Sequence, residues 1–384
     1  MSAGHGFSAG EQAAQMATIA LDATYTVDPK STGIGVYSRK LIESLAALQS
    51  PHHFLLCFRF SRYARRRDFL GPAGLTGVGG RSISTRLYQE PFTFWLPGQA
   101  ELFHSLAQRP PAFRFQREIV TVSDVFPLTG RTYSTEDFQR RFSALLLEAV
   151  CRAARVITPS RYTADQLLRH AGVPLEKIRV IPHGVTLPTR VMSLEQRARE
   201  RELIVGKGNE IVLTVGVLDA RKNIVNALRA LRNLPVHYRL VLAGGDGYGS
   251  EAIHDFIREE QLASRVKVLG RVPDGTLSAL YQVASVLLFP SLEEGFGLPV
   301  LEAMAYGLPV VVSGVSSLPE VGGDAALYVD PSDPRDMADK VMCAVEDATL
   351  RGRMIEQGRA RARQFPWQRA AEQTCQVYDE VLAA

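Results

Sequence analysis

The sequence predicts an α/β protein of two doubly wound parallel domains facing each other across a cleft. Three observations predict it. Short apolar strands alternate with longer helical patterns along the chain, which is the mark of parallel βα units. The alternation makes two rounds, divided by a charged stretch without strand character, Thr186–Glu210. The chain of 384 residues also exceeds one ordinary core, because domains run to roughly 100–200 residues.

The elements follow in order. Residues 1–17 are small and polar, lack a secretory h-region, and read as a disordered lead-in. The first domain, 18–185, has strands at Ile19–Tyr25, Phe54–Phe60, Ile119–Val122, Arg155–Thr158 and Ile178–Ile181. Its helices fall at Tyr37–Leu48, Thr135–Arg152 and Arg161–His170. Thr186–Glu210 is the linker candidate. The second domain, 186–365, has strands at Ile211–Val217, Tyr238–Ala243, Val266–Leu269, Val286–Phe289, Val310–Ser313 and Ala326–Val329, with helices between them.

Composition narrows the classes. The chain is 46% hydrophobic and 22% charged, and no apolar run approaches the ~20 residues of a bilayer span. Cys57, Cys151, Cys343 and Cys375 are far apart and form no CxxC pair. They read as buried reduced thiols of a cytoplasmic protein, and no metal site is expected. Net charge is +4 but uneven: residues 1–185 hold 22 basic against 14 acidic side chains, and the rest 22 against 26. The basic first half points to an anionic partner.

Ligands of open parallel sheets bind at the carboxyl ends of strands, so chemistry is sought there. Strand Ile211–Val217 ends in "GVLDARKNI". Arg221 and Lys222 suit a phosphate or diphosphate, which needs charge neutralisation and donors. A solvated turn with a cap at Asn223 is the plainer reading. "AGGDGYG" after the next strand reads as a tight turn shaping the cleft wall. "STGIGVYSRKLI" holds half of a dinucleotide fingerprint, and Gly33–Gly35 read as a flexible substrate-contacting loop.

The fullest signal is "SLEEGFGLPVLEAMAYGLPVVVSG", Ser291–Gly314. Pro299–Tyr306 reads as a short helix capped by Gly307. Its N-terminus offers free N–H groups to an anion, with Gly295 and Gly297 allowing close approach. Glu294 and Glu302 flank that site. Carboxylates only accept hydrogen bonds, so they suit hydroxyls rather than phosphate. A diphosphate with a sugar at each end satisfies both halves: a nucleotide sugar.

Glu294 and Glu302, seven residues apart in between, resemble the E-x7-E motif of retaining glycosyltransferases of family 4, glycosyl transferases group 1, with the GT-B fold. "TGIGVYSRKL", "ITPSRYTADQLL", "GVPLEKIRVIPHGV", "VGVLDARKNI", "AGGDGYGSE" and "LPEVGGDAALYVDPSDP" are similar to further family segments, so the likeness runs roughly from Ile19 to Ala384. The resemblance implies two Rossmann-like domains, with the acceptor in the first and the nucleotide sugar in the second. Residues 366–384 would return as a helix onto the first. It implies that Glu302 holds the ribose, that Glu294 holds the transferred sugar, and that Arg221 and Lys222 neutralise the diphosphate. The amides of Phe296, Gly297 and Leu298 would line sugar and diphosphate. Gly216, Gly33, Gly35 and Asp124 would complete the donor site. The expected activity is hexosyl transfer, mannose by family habit, from a GDP- or UDP-hexose to a glycan or lipid-linked acceptor in polysaccharide or glycolipid synthesis. No cofactor and no nucleic acid are expected.

Two departures stand out. Val217 follows Gly216 where the family often has Arg or Ser, and Ser123 replaces the histidine of the usual His-Asp pair. Ser123 favours the competing class, a non-catalytic nucleotide-sugar-binding protein. An oxidoreductase would need a complete G-x-G-x-x-G, and neither half has one. His183 reads as a hinge-side cleft residue or, preferably, a satisfied interdomain histidine. "RFSRYARRRDFL", with Trp95 nearby, reads either as a solvated loop or ordinary amphipathic helix, or as a peripheral contact with anionic membrane.

Overall fold

A computed structural model of the chain describes residues 16–27, 33–70, 83–89, 93–111, 113–129 and 133–384. The expected lead-in falls almost wholly outside the described residues.

The first sheet contains β1 (Thr18–Asp22), β2 (His53–Phe58), β3 (Ile83–Leu87), β4 (Leu102–Ser105), β5 (Glu118–Thr121), β6 (Arg155–Thr158) and β7 (Ile178–Val180). The second contains β8 (Glu210–Val215), β9 (Tyr238–Ala243), β10 (Val266–Gly270), β11 (Val286–Phe289), β12 (Val310–Ser313) and β13 (Leu327–Val329). All pairings within them are parallel. The orders are β3-β2-β1-β4-β5-β6-β7 and β10-β9-β8-β11-β12-β13. Each sheet is doubly wound and reverses direction once, at β1/β4 and at β8/β11. Such a switch point leaves a crevice at the strands' carboxyl ends. Strands such as VLLF and VVVS are buried throughout because helices cover both faces.

Helices α1 (Gly33–Ala47), α2 (Phe60–Tyr63), α3 (Arg66–Leu70), α4 (Glu136–Arg152) and α5 (Arg161–Ala171) belong to the first sheet. Then come α6 (Leu194–Val205), α7 (Ile224–Asn233), α8 (Ser250–Glu259), α9 (Asp274–Val283), α10 (Leu298–Tyr306), α11 (Leu318–Gly322), α12 (Pro334–Glu346), α13 (Ala348–Ala362) and α14 (Trp367–Ala383). The chain crosses between sheets twice, side by side, where Val185 N donates to the Phe365 carbonyl at 2.8 Å. Helix α14 then packs on the first sheet beside α1. Tyr378 is fully buried there, and its hydroxyl lies 2.7 Å from His104 Nδ1. Glu380 takes both Arg155 and Arg179.

Several expected boundaries move. The first strand stops at Asp22, whose carboxylate accepts from Thr24 N at 3.1 Å and starts a turn. Strands β3 and β4 were not foreseen: ISTRL is half polar, and LFHS carries a histidine that becomes buried only by pairing with Tyr378 and Thr121. The linker candidate contains α6, opened by a Ser193–Gln196 capping box and held to the second sheet by Arg201 on Glu210 at 3.0 Å. Gly33 and Gly35 are not a loop: both lie in the first turn of α1. Cys57 is buried, but Cys151 and Cys343 are exposed, which corrects the reading of all four as buried; all are free thiols.

Candidate active site

The crevice at the β8/β11 switch point is built by two strand-end loops. After β8, Gly216 has φ 132°, a backbone conformation that favours glycine. The chain then makes a short 3-10 turn, Ala220–Lys222. Asp219 caps it by accepting from Lys222 N at 3.0 Å. Asn223 ties the turn to the other loop by donating to the Pro290 carbonyl at 3.0 Å, and Leu292 N donates to the Arg221 carbonyl at 2.9 Å. The two loops are therefore tied into one piece.

That piece fixes a buried charge cluster. Lys222 Nζ donates to Glu294 Oε1 at 2.5 Å, and Arg221 Nη1 lies 3.1 Å from Glu294 Oε2. Arg221 Nη1 also donates to the Glu293 carbonyl at 2.7 Å. Lys222 stands 4.7 Å above the Phe289 ring. Burial alone would raise the Glu294 carboxyl, but Lys222 and Arg221 outweigh it and hold it down at about 2. Two cations meet one carboxylate here, with Asp219 3.9 Å from Arg221. The sequence reading placed these cations toward a diphosphate; the structure has both engaged with Glu294.

Glu294 leads into α10, whose first residue is Leu298 with Pro299 second. Gly297 takes φ 117°. Among the described residues, the N–H groups of Gly297 and Leu298 have no acceptor, so the helix start stays able to take an anion. Ser317 Oγ donates to the carbonyls of Glu294 and Phe296 at 2.9 and 2.8 Å and fixes the loop's path. Further along α10, Glu302 accepts from the Tyr281 hydroxyl at 2.7 Å. Burial raises its carboxyl, and the Tyr281 bond opposes the rise.

The first sheet closes the crevice. Ser160 and Thr163, at the start of α5, donate to the Gly295 carbonyl at 2.7 and 3.1 Å. Glu320 of α11 accepts from the N–H groups of Arg161 and Tyr162 at 2.9 and 2.7 Å. The Phe126 ring lies 5.4 Å from the Arg221 guanidinium. The gap lined by Asp124, Phe126, Tyr162, Arg221 and Glu294 is too narrow for a water molecule. A side chain at Gly295 would put its Cβ 1.7 Å from the Ser123 carbonyl oxygen. Glycine is thus required there by the facing domain as well, a reason the sequence did not show. Asp124 is partly buried beside Arg221 and Glu294, and the loss of solvent raises its carboxyl. Among the described residues, its Oδ1 and the Ser123 hydroxyl have no hydrogen-bond partner.

Gly33 and Gly35 join none of these contacts. His183 is interdomain as expected, stacked among Tyr37, Phe296 and Trp367. It is not fully satisfied, because Nδ1 has no partner among the described residues, and burial lowers it to about 3. Sequence reasoning missed Tyr281, Ser160, Thr163 and Glu320. The Ser160 cap signal was readable; a tyrosine on another helix, 21 residues from Glu302, leaves no sequence signal. Among the described residues, no group of three His, Cys, Asp or Glu side chains could hold a metal, and no helix is long and apolar enough to cross a membrane.

Comparison with known proteins agrees with this architecture. Residues 31–187 match the family described as Glycosyltransferase Family 4, and residues 195–361 match Glycosyl transferases group 1. The O-antigen chain mannosyltransferase B of Escherichia coli is 31% identical over 278 residues, 69% of this chain and 71% of that protein. Two solved structures have the same fold. Sucrose-phosphate synthase from Thermosynechococcus elongatus is 23% identical with a TM-score of 0.72, over 96% of this chain and 99% of that one. HepE from Anabaena in complex with UDP-glucose is 18% identical with a TM-score of 0.74, over 94% and 99%. The chain belongs to the family 4 (group 1) glycosyltransferases and has the GT-B fold. It is a glycosyl transfer enzyme.

Proposed function

We propose that the protein moves a hexose from a nucleoside diphosphate sugar to an acceptor hydroxyl with retention of configuration. The observation that carries this is the Lys222–Glu294–Arg221 cluster astride a switch point, next to a helix start with unclaimed N–H groups. On binding, the diphosphate draws Lys222 and Arg221, and Glu294 is released to accept from hydroxyls of the transferred sugar. Glu302 accepts from the ribose, and the amides of Phe296, Gly297 and Leu298 line sugar and diphosphate. Gly216 borders the donor. Asp124 faces the sugar from the first domain, and α1, with Gly33 and Gly35 in its first turn, borders the acceptor side. The cations stabilise the leaving diphosphate as its charge develops. A leaving-group oxygen takes the acceptor's proton on the same face that the acceptor attacks, so no metal or cofactor is needed.

The relative's name supports mannose as the transferred sugar and surface polysaccharide as the product, and the HepE complex supports a UDP-hexose as the alternative to GDP-mannose. The donor domain is 186–365, and the acceptor domain is 18–185 with 366–384. Exposed Phe60, Phe94 and Trp95, with exposed Arg65 and Arg67, support a peripheral contact with anionic membrane and a lipid-linked acceptor. Proton NMR of the first-formed product, with a panel of nucleotide sugars, tests the reading. The donor's anomeric configuration is expected in the product; an inverted anomer, or binding without turnover across the panel, would overturn it.

A further inference from the structure

The first sheet has its own switch point, between β1 and β4, and a second cavity opens at that end. It holds about 300 Å³ and is lined by Arg59, Tyr88, Arg109, Leu145, Glu148 and Arg152 among others. Arg59 directly follows β2, Tyr88 directly follows β3, and Arg109 lies in the loop after β4. All three strands thus deliver residues to one place, at the end of the sheet that faces the donor site.

The charges in this cavity are not alike. Arg152 is spent: it holds Glu118 through both carboxylate oxygens at 2.7 and 3.0 Å, Glu148 at 3.0 Å and the Phe113 carbonyl at 3.0 Å. One guanidinium offsets one of these two carboxylates, so Arg59 and Arg109 are what make the group of three arginines and two glutamates net positive. Arg59 and Arg109 are different. Among the described residues, neither guanidinium has an ion pair or a side-chain hydrogen bond; Arg59 only stacks 6.0 Å from the Tyr88 ring. Two unclaimed guanidinium forks in one cavity suit a phosphate or diphosphate, whose oxygens accept paired bonds.

The loop also connects the cavity to the transfer site. Gln108 has φ 58°, unusual for a residue with a side chain, and is 1% exposed. Its side chain lies near enough to Asp124 in the crevice to oppose the rise of that carboxyl. The next residue, Arg109, lines the cavity, and Ser105 Oγ holds its carbonyl. One strained residue therefore joins the two sites.

We infer that this cavity is an acceptor subsite for a phosphate or diphosphate group, held by Arg59 and Arg109 while a neighbouring sugar hydroxyl lies at the crevice. The inference rests on the glycosyl-transfer reading of the crevice. The acceptor is then a phosphorylated glycan or a lipid diphosphate sugar.

Calorimetry on the full chain tests it in two stages. GDP and UDP are titrated first, which examines the donor reading alone. Inorganic pyrophosphate is then titrated into protein saturated with the nucleotide that binds, or into Lys222→Met if neither does. Wild-type protein is expected to bind it, more weakly as salt rises. The Arg59→Ala/Arg109→Ala variant is expected to bind at least tenfold more weakly with an unchanged melting temperature, because neither side chain holds the fold together. No pyrophosphate binding by wild-type protein, or equal affinity in the double variant, would overturn the inference. Geranyl diphosphate in detergent micelles and mannose 1-phosphate separate the sources: tighter binding of the first upholds the subsite with a lipid diphosphate acceptor, and tighter binding of the second upholds it with a soluble sugar phosphate.

Discussion

The two sheets share one strand order over six strands and place a crevice at the same topological point, yet they treat charge oppositely. At β8/β11, buried Lys222 and partly buried Arg221 are claimed by Glu294. At β1/β4, Arg59 and Arg109 have no carboxylate partner among the described residues. A buried cation without a counter-charge is costly, and the inner crevice supplies its own carboxylate. A cation that keeps contact with water carries no such penalty and can stay open. The difference teaches that the same topological position can hold its cations paired in one domain and unpaired in the other.

Breaking the inner pair should have the largest effect. Lys222→Ala leaves Glu294 buried with Arg221 alone. Stability should fall by about 3 kcal/mol, and kcat by at least ~10²–10³-fold. Lys222→Met with Glu294→Gln should recover most of the stability in a denaturant titration and none of the transfer. Recovery of both would mean that the pair is structural only.

The next variant acts on the closure between the regions. Gly295→Ala drives a methyl group into the Ser123 carbonyl, so the two sheets cannot meet as they do here. A larger radius of gyration by X-ray scattering is expected, with kcat/KM down about tenfold or more. An unchanged radius would show that the contact can shift at little cost.

These sites were unequally legible in the sequence. Glu294, Glu302, Arg221 and Lys222 could be read because strand-end loops carry local patterns: a glycine turn, a helix start and paired cations. The partnership of Lys222 with Glu294, 72 residues away, could not, because register across a sheet leaves no mark on either segment. Strand β4 was hidden for a related reason. His104 and Ser105 look polar in sequence, and only the distant Tyr378 and Thr121 make His104 a core residue. Gly33 and Gly35 misled because glycine at a helix start and glycine in a loop look the same without the preceding backbone.

Acid should separate the regions by the proton. His104 and His183 are held neutral by burial, at about 3 against 6.5 when free. Below pH 6.5 the unfolded chain gains protons that the folded chain does not, so stability declines as pH falls toward 3. Glu294, held at about 2 against 4.5, adds to the decline only below about 4.5. The melting temperature should therefore drop by about 5 °C from pH 7 to pH 5. His183→Phe should flatten that part of the curve; an unaltered curve would place the sensitivity elsewhere.

Smaller effects are expected at the periphery. Replacing Arg65, Arg66 and Arg67 with Glu should remove sedimentation with anionic vesicles at low salt and leave donor binding intact. Equal sedimentation with neutral vesicles would exclude the membrane contact. Tyr281→Phe deletes one hydrogen bond to Glu302, a loss of about 1 kcal/mol, read as a KM for donor raised up to about fivefold with kcat near normal.

The donor titration is the most direct test, because it sets both regions against one ligand. A nucleoside diphosphate sugar that binds the wild-type chain is titrated into Lys222→Met and into Arg59→Ala/Arg109→Ala. The account predicts at least a hundredfold weaker binding in the first and unchanged binding in the second. Unchanged binding in Lys222→Met, or a loss confined to the arginine variant, would contradict the placement of the donor at the β8/β11 crevice.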